Sequence, residues 1–139
     1  MPNKVAHVVG RLIEVSVDAG YRSSADVDEV FAEIARAGMQ IPARERAVLV
    51  VDWRRCPIMS ADAADYLRLR MQGNNTKVDR SAALASNDSP VALLQFLRVI
   101  RESANPNRRL FDDAGELRAW LHDVFAPEER DRLREFLSR

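Results

Sequence analysis

The side chains from which this sequence could build a binding site fall in two stretches, Trp53, Arg54, Arg55, Ser60 and Asp62 in one, Ser86, Asn87 and Ser89 in the other. An indole next to two guanidinium groups is a pairing enriched where proteins grip partners, since each offers a flat surface with directed donors. Ser60 and Ser89 both stand at the start of a predicted helix, whose first N–H groups lack intrahelical acceptors and can hold a phosphoryl group or another anion. Helix capping accounts for Ser60, Ser86 and Ser89 equally simply, and Trp53 can instead cover an apolar edge. Cys56 has no histidine near it in sequence, so it reads as a small buried apolar residue rather than a nucleophile. One cysteine and two histidines form no zinc-ligand pattern, and neither a Gly-rich phosphate loop nor a Ser-His-Asp arrangement stands out. No catalytic residue, metal or cofactor is expected.

The elements that must position these residues are legible from periodicity. Val15 and Val17 alternate with Glu14, Ser16 and Asp18, which makes residues 7–18 extended chain, either one strand bent at Gly10 or a hairpin. Val27, Val30, Phe31 and Ile34 recur at helical spacing after Ser24, the expected cap, and Gly38 is the expected stop. The aliphatic run Ala47-Val48-Leu49-Val50-Val51 reads as a central strand buried on both faces. A helix follows from Ser60 to about Gln72, then an inner strand over residues 81–85. Ser89-Pro90 opens a helix with Leu93, Phe96, Leu97 and Ile100 on its apolar side. Residues 108–111 fit an edge strand. Asp112 or Asp113 caps a helix carrying Leu117, Trp120, Leu121 and Val124, and Pro127 opens a last amphipathic helix with Leu133, Phe136 and Leu137. Buried strands alternating with amphipathic helices predict an α/β fold, a mixed β-sheet with parallel central strands, crossover helices and an extra C-terminal helix.

With 139 residues and no internal repeat or linker-like tract, the chain is expected to be a single domain over residues 1–139. Its 21 basic and 21 acidic side chains balance, so no overall charge draws it to nucleic acid or anionic membrane. Arg68, Arg70, Lys77 and Arg80 are interleaved with Asp62, Asp65 and Asp79, and Arg98, Arg101, Arg108 and Arg109 with Glu102, Asp112 and Asp113, the pattern of solvated mixed faces. Apolar runs too short for a membrane span or a signal peptide, with a single cysteine, lead to an expectation of a cytoplasmic protein.

The stretch Val48-Leu49-Val50-Val51-Asp52-Trp53-Arg54-Arg55-Cys56-Pro57-Ile58-Met59-Ser60-Ala61-Asp62-Ala63 resembles the central signature of STAS domains, a hydrophobic strand, an Asp, a short loop and an Asp-Ser pair opening a helix. The later stretch from Arg108-Arg109-Leu110-Phe111 through Asp112-Asp113 to Ala119-Trp120-Leu121 resembles the ending of SpoIIAA-like anti-sigma-factor antagonists. This resemblance implies the STAS (SpoIIAA-like) fold and a regulatory, non-enzymatic role in bacterial-type signalling, binding a partner such as a regulatory kinase or anti-sigma-type factor. In that family the serine of the pair is phosphorylated. Here Ala61 aligns with it and Ser60 with the preceding Asp, so the usual phosphoserine is missing unless the alignment slips by one residue.

The expected function is therefore a protein-interaction module that docks a partner through Trp53, Arg54, Arg55, Ser60 and Asp62. An alternative is a carrier of a small apolar or anionic ligand, held near Ser86, Asn87 and Ser89 or between the sheet and the helix bearing Leu93 and Ile100; the lipid-carrying CRAL-TRIO proteins are larger relatives of the fold. Homodimerisation through Leu133, Phe136 and Leu137 is a third expectation.

Overall fold

The computed structural model describes residues 2–139. Lys4–His7 (β1) and Leu12–Ser16 (β2) pair antiparallel, so the opening segment is a hairpin rather than a bent strand. Gly10 makes the turn at φ +58°, in the left-handed region that glycine adopts without a Cβ penalty. β1 begins earlier than the alternation shows, because Lys4 and Ala6 on this edge strand are exposed and carry no apolar signal.

From β2 onward every neighbouring pair is parallel: β2 with β3 (Ala47–Asp52), β3 with β4 (Val78–Leu84), and β4 with β5 (Arg108–Phe111), in spatial order β1-β2-β3-β4-β5. The crossovers are helices α1 (Ser24–Gly38), α2 (Ala61–Gly73) and α3 (Pro90–Glu102). The strand order never reverses, so right-handed crossovers place all three on one face. Helix α4 (Ala114–Leu121), a 3₁₀ turn at His122–Val124 and α5 (Pro127–Leu137) cover the other face.

Alternation along β3 divides the burial. Leu49 and Val51 pack with Ile13, Val15, Val27, Leu67 and Phe96 under the crossover helices, whereas Val48 and Val50 pack with Leu12, Leu84, Leu117, Leu121 and Leu133 beneath α4 and α5. The result is a three-layer α/β arrangement with a core on each side of a five-stranded mixed sheet. Leu133, Phe136 and Leu137 are buried in the second core, so they cover their own sheet rather than standing free as a docking face.

Several boundaries differ from the sequence reading. Ser23, with extended backbone, precedes α1 and Ser24 is already helical; neither serine supplies a cap bond, and Asp26 Oδ2 instead accepts the Arg22 N–H at 2.9 Å. Gly38 is the last residue of α1 rather than a residue beyond it, and Met39, with right-handed backbone, is the C-cap. Val124 falls in the 3₁₀ turn rather than in α4. Arg108, read as part of a solvated face, is buried and forms no ion pair among the described residues. Its guanidinium donates to Ser81 Oγ at 3.2 Å, Asn75 Oδ1 at 3.1 Å and the Met71 carbonyl at 3.3 Å, and loss of solvent lowers its pKa to about 10.

Charged links fasten α5 to the sheet. Glu14, buried on β2, is held by Arg132, with Nη2 to Oε1 at 2.8 Å. Glu129 reaches back to the Ala126 N–H at 2.7 Å and across to the Arg11 N–H at 2.7 Å, so a single carboxylate caps α5 and joins it to the β1–β2 turn.

Candidate functional site

β3 and β4 are neighbours with parallel chains, and this brings the two predicted loops, Asp52 to Ser60 and Ser86 to Ser89, to the same end of the sheet. There the side chains sort into three groups. Trp53 is 1% exposed, its indole N–H donates to the Tyr21 hydroxyl at 3.2 Å, and its ring stacks on Phe96 at 4.5 Å between centroids. It is core, which corrects its expected place on a docking surface: an indole this large gains more from enclosure between two aromatic partners than from solvent contact.

Arg54 is engaged as well. Its Nε donates to Asp52 Oδ1 at 3.0 Å and its Nη2 to Asp52 Oδ2 at 2.9 Å, a bidentate fork that leaves little of the guanidinium for a partner. Arg139 approaches the same carboxylate with Nε at 2.8 Å and turns its two terminal nitrogens to Asp18 at 2.7 and 3.2 Å. Burial opposes ionisation of Asp52, but the bonds from Arg54 and Arg139 outweigh it and hold the carboxyl below its usual range. A depressed carboxyl pKa contributes stability that is complete above the unfolded value and disappears as pH falls through the folded one. Melting followed from pH 7 downward is therefore expected to show a steep acid limb below about pH 4. Asp52→Asn is expected to lose about 2 kcal/mol at neutral pH and to flatten that limb; an unchanged limb would remove Asp52 from the network.

Arg55, by contrast, is exposed and only approaches Asp18, at 3.9 Å. Ser60 and Asp62 are exposed in the first turn of α2, where Ser60 Oγ accepts the Ala63 N–H at 3.2 Å. In the second loop Ser86 Oγ accepts the Asp88 N–H at 3.0 Å, Asn87 is exposed, and Ser89 Oγ accepts the Ala92 N–H at 3.3 Å. Ser60 and Ser89 thus do the capping work, and Ser86 closes a turn. Cys56 is buried and loss of solvent pushes its thiol up to about 12. Neither histidine activates it, since His7 serves the β1–β2 turn through the Gly10 carbonyl and His122 follows α4 on the opposite face.

What the sequence did not disclose is the surface these loops share with α3. Gln95 grips the Met59 backbone from both sides, Oε1 accepting its N–H at 2.8 Å and Nε2 donating to its carbonyl at 2.8 Å. Ile58, next to the clamped Met59, is exposed, and on α3 itself Val91, Leu94 and Leu97 stand exposed at three-residue spacing. Ile58 is 56% and Leu94 67% exposed. Leu97, expected in the core, lies outside it, on the last helix of its layer, which packs against α2 on one side. Inside, Phe96 and Val99 are buried in the core shared with the sheet.

The basic positions are paired rather than massed: Arg68 with Glu102, Arg70 with Asp28, Arg80 with Asp123. Among the described residues no helix is long and apolar enough to cross a membrane, and no group of three or more His, Cys, Asp and Glu side chains is placed to hold a metal ion. No protein-family model matches the chain, and comparison with curated proteins and with solved structures returns no match either.

Proposed function

We propose that this chain is a STAS-like, non-enzymatic interaction module that docks a partner protein through Ile58 and the outer side of α3, with Arg55, Ser60 and Asp62 on the adjoining rim. The observation that carries this reading is the row of exposed aliphatic side chains Val91, Leu94 and Leu97 along α3, together with exposed Ile58 in the loop whose Met59 backbone Gln95 of α3 holds. Exposed apolar side chains scattered singly need no explanation, but a cluster rimmed by polar groups marks a contact surface. The element order, with a hairpin, three one-faced crossovers and a closing helix, supports the family resemblance, and so does the Asp52 to Ser60 loop leading into α2. The reading does without a phosphoserine, because Ala61 occupies that place and Ser60 is engaged as a cap. The partner expected from the resemblance is a regulatory kinase or anti-sigma-type protein in the cytoplasm.

A photo-crosslinking amino acid placed at Leu94, and in a control at Arg130 on the opposite layer, tests the surface in living cells. A discrete heterologous adduct is expected from position 94 alone. Val91→Ser combined with Leu97→Glu is expected to reduce binding of the purified adduct protein by more than about tenfold, with stability shifted by about 0.5 kcal/mol or less. Adducts from both positions alike, or none from position 94, overturn the proposal.

A further inference from the structure

We infer that the groove between α4 and α5 binds a small polar phosphate ester, at a site across the sheet from the α3 surface. Arg118, Ala119 and His122 line it from the α4 side, and Arg130, Asp131 and Arg134, at the same spacing, from α5. Positions i and i+4 lie one above the other on a helix, so each bank presents its basic side chains one turn apart along the groove. The volume is about 640 Å³, enough for a small molecule. Asp131 is the single acidic residue of the lining and lies 3.8 Å from Arg134, with both side chains largely exposed. With Arg118 and Arg130 left over, the groove carries a surplus of positive charge in a chain whose formal net charge is zero.

The way the arginines pair singles this groove out. A half-buried guanidinium has lost part of its hydration, and elsewhere the chain compensates. Arg11, Arg54, Arg68, Arg70, Arg80 and Arg132 are half-buried, and each lies beside a carboxylate. Arg118 and Arg130 are half-buried too, yet neither pairs with a carboxylate among the described residues. Arg130 is nevertheless fixed in place: its Nε donates to the His122 carbonyl at 2.9 Å, while its two terminal nitrogens carry no hydrogen bond among the described residues. Arg118 makes no side-chain hydrogen bond among them either. Guanidinium forks match the oxygens of a phosphate, and a phosphate monoester, close to a dianion at neutral pH, offers acceptors to both arginines together. The apolar residues of the lining, Phe125 and Leu133, are already 3% and 1% exposed, and none of the exposed large apolar side chains lies in the groove. Nothing there would hold an acyl chain, so the ester is a polar one rather than a phospholipid.

NMR titration of the isotope-labelled full chain with glucose 6-phosphate, glucose and glucuronate tests this, because the three share one sugar and differ only in the phosphate, hydroxyl or carboxylate at one carbon. Glucose 6-phosphate is expected to bind saturably, with shifts centred on the amides of Arg118, Ala119 and Arg130, about tenfold or more tighter than glucuronate, and glucose is expected not to saturate. Arg118→Met is expected to weaken glucose 6-phosphate by about tenfold. Since the Arg118 guanidinium bonds to nothing among the described residues, that loss reports a ligand contact, and a thermal melt checks that the variant is folded. Ala119→Glu, which sets a carboxylate beside the arginines from an exposed position, is expected to abolish binding. Arg44→Met removes one exposed charge outside the groove and is expected to leave the affinity unchanged. No saturable binding of glucose 6-phosphate, glucuronate binding as tightly, or an equal loss in Arg44→Met and Arg118→Met overturns the inference.

Discussion

Replacing Trp53 by alanine is expected to cost about 4 kcal/mol of folding stability. A buried indole stacked on Phe96 and hydrogen-bonded to Tyr21 loses three things together on truncation. The apolar area returns to solvent in the unfolded comparison, Phe96 loses its stacking partner, and the cavity persists because β3, α3 and the loop around Tyr21 are each held by other contacts. The Tyr21 hydroxyl is left buried and loses its donor, with its pKa already raised by burial. Trp53→Phe separates the contributions. It keeps a stacked ring and removes the N–H donor, so the loss is expected to fall to about 1–2 kcal/mol. Urea denaturation of both variants decides it, with Tyr fluorescence and circular dichroism as probes, because the Trp signal is reduced. A loss below about 1 kcal/mol for the alanine variant would move Trp53 out of the core and back toward a surface role. The consequence for function is practical: weakened partner binding by a Trp53 variant reports unfolding first, and Leu94 is the position from which docking should be probed.

Trp53 also shows where sequence reasoning reached its limit. Its neighbours Val48 to Val51 announced a strand buried on both faces, since a continuous aliphatic run has no polar side to give to solvent. The caps Ser60, Ser89 and Asp113 were legible for the same local reason, that each satisfies N–H groups within the next turn. Whether the indole faces inward depends on Tyr21 and Phe96, which come from other elements and leave no trace in the residues around position 53. Arg54 and Arg139 present the same difficulty, because their shared hold on Asp52 joins residues 87 positions apart. Helix α3 fails differently. Val91, Leu93, Leu94, Phe96, Leu97, Val99 and Ile100 surround most of its circumference, so periodicity cannot select which of them the sheet will bury. The contacts α3 makes with the sheet and α2 decide that selection, and its own residues do not reveal them.

The turn at Gly10 carries the second large effect. Gly10→Ala is expected to destabilise the chain by about 3 kcal/mol, more than a left-handed alanine costs by itself, about 1 kcal/mol. A Cβ at this position would overlap Glu129 Oε2 and lie 2.6 Å from Glu129 Cδ, so the carboxylate must move. Moving it breaks the bonds to the Arg11 and Ala126 N–H groups, which uncaps α5 and unfastens it from the hairpin. The two contributions separate in a double-mutant cycle. In a Glu129→Ala background the carboxylate is already gone, and adding Gly10→Ala is expected to cost only the backbone strain, about 1 kcal/mol. A coupling of about 2 kcal/mol between the two sites would therefore appear in urea denaturation, with native-state hydrogen exchange showing the Arg11 and Ala126 amides losing protection in either single variant. Additive effects would mean that Gly10 serves the turn alone and that α5 is held to the sheet by Arg132 and its own apolar face.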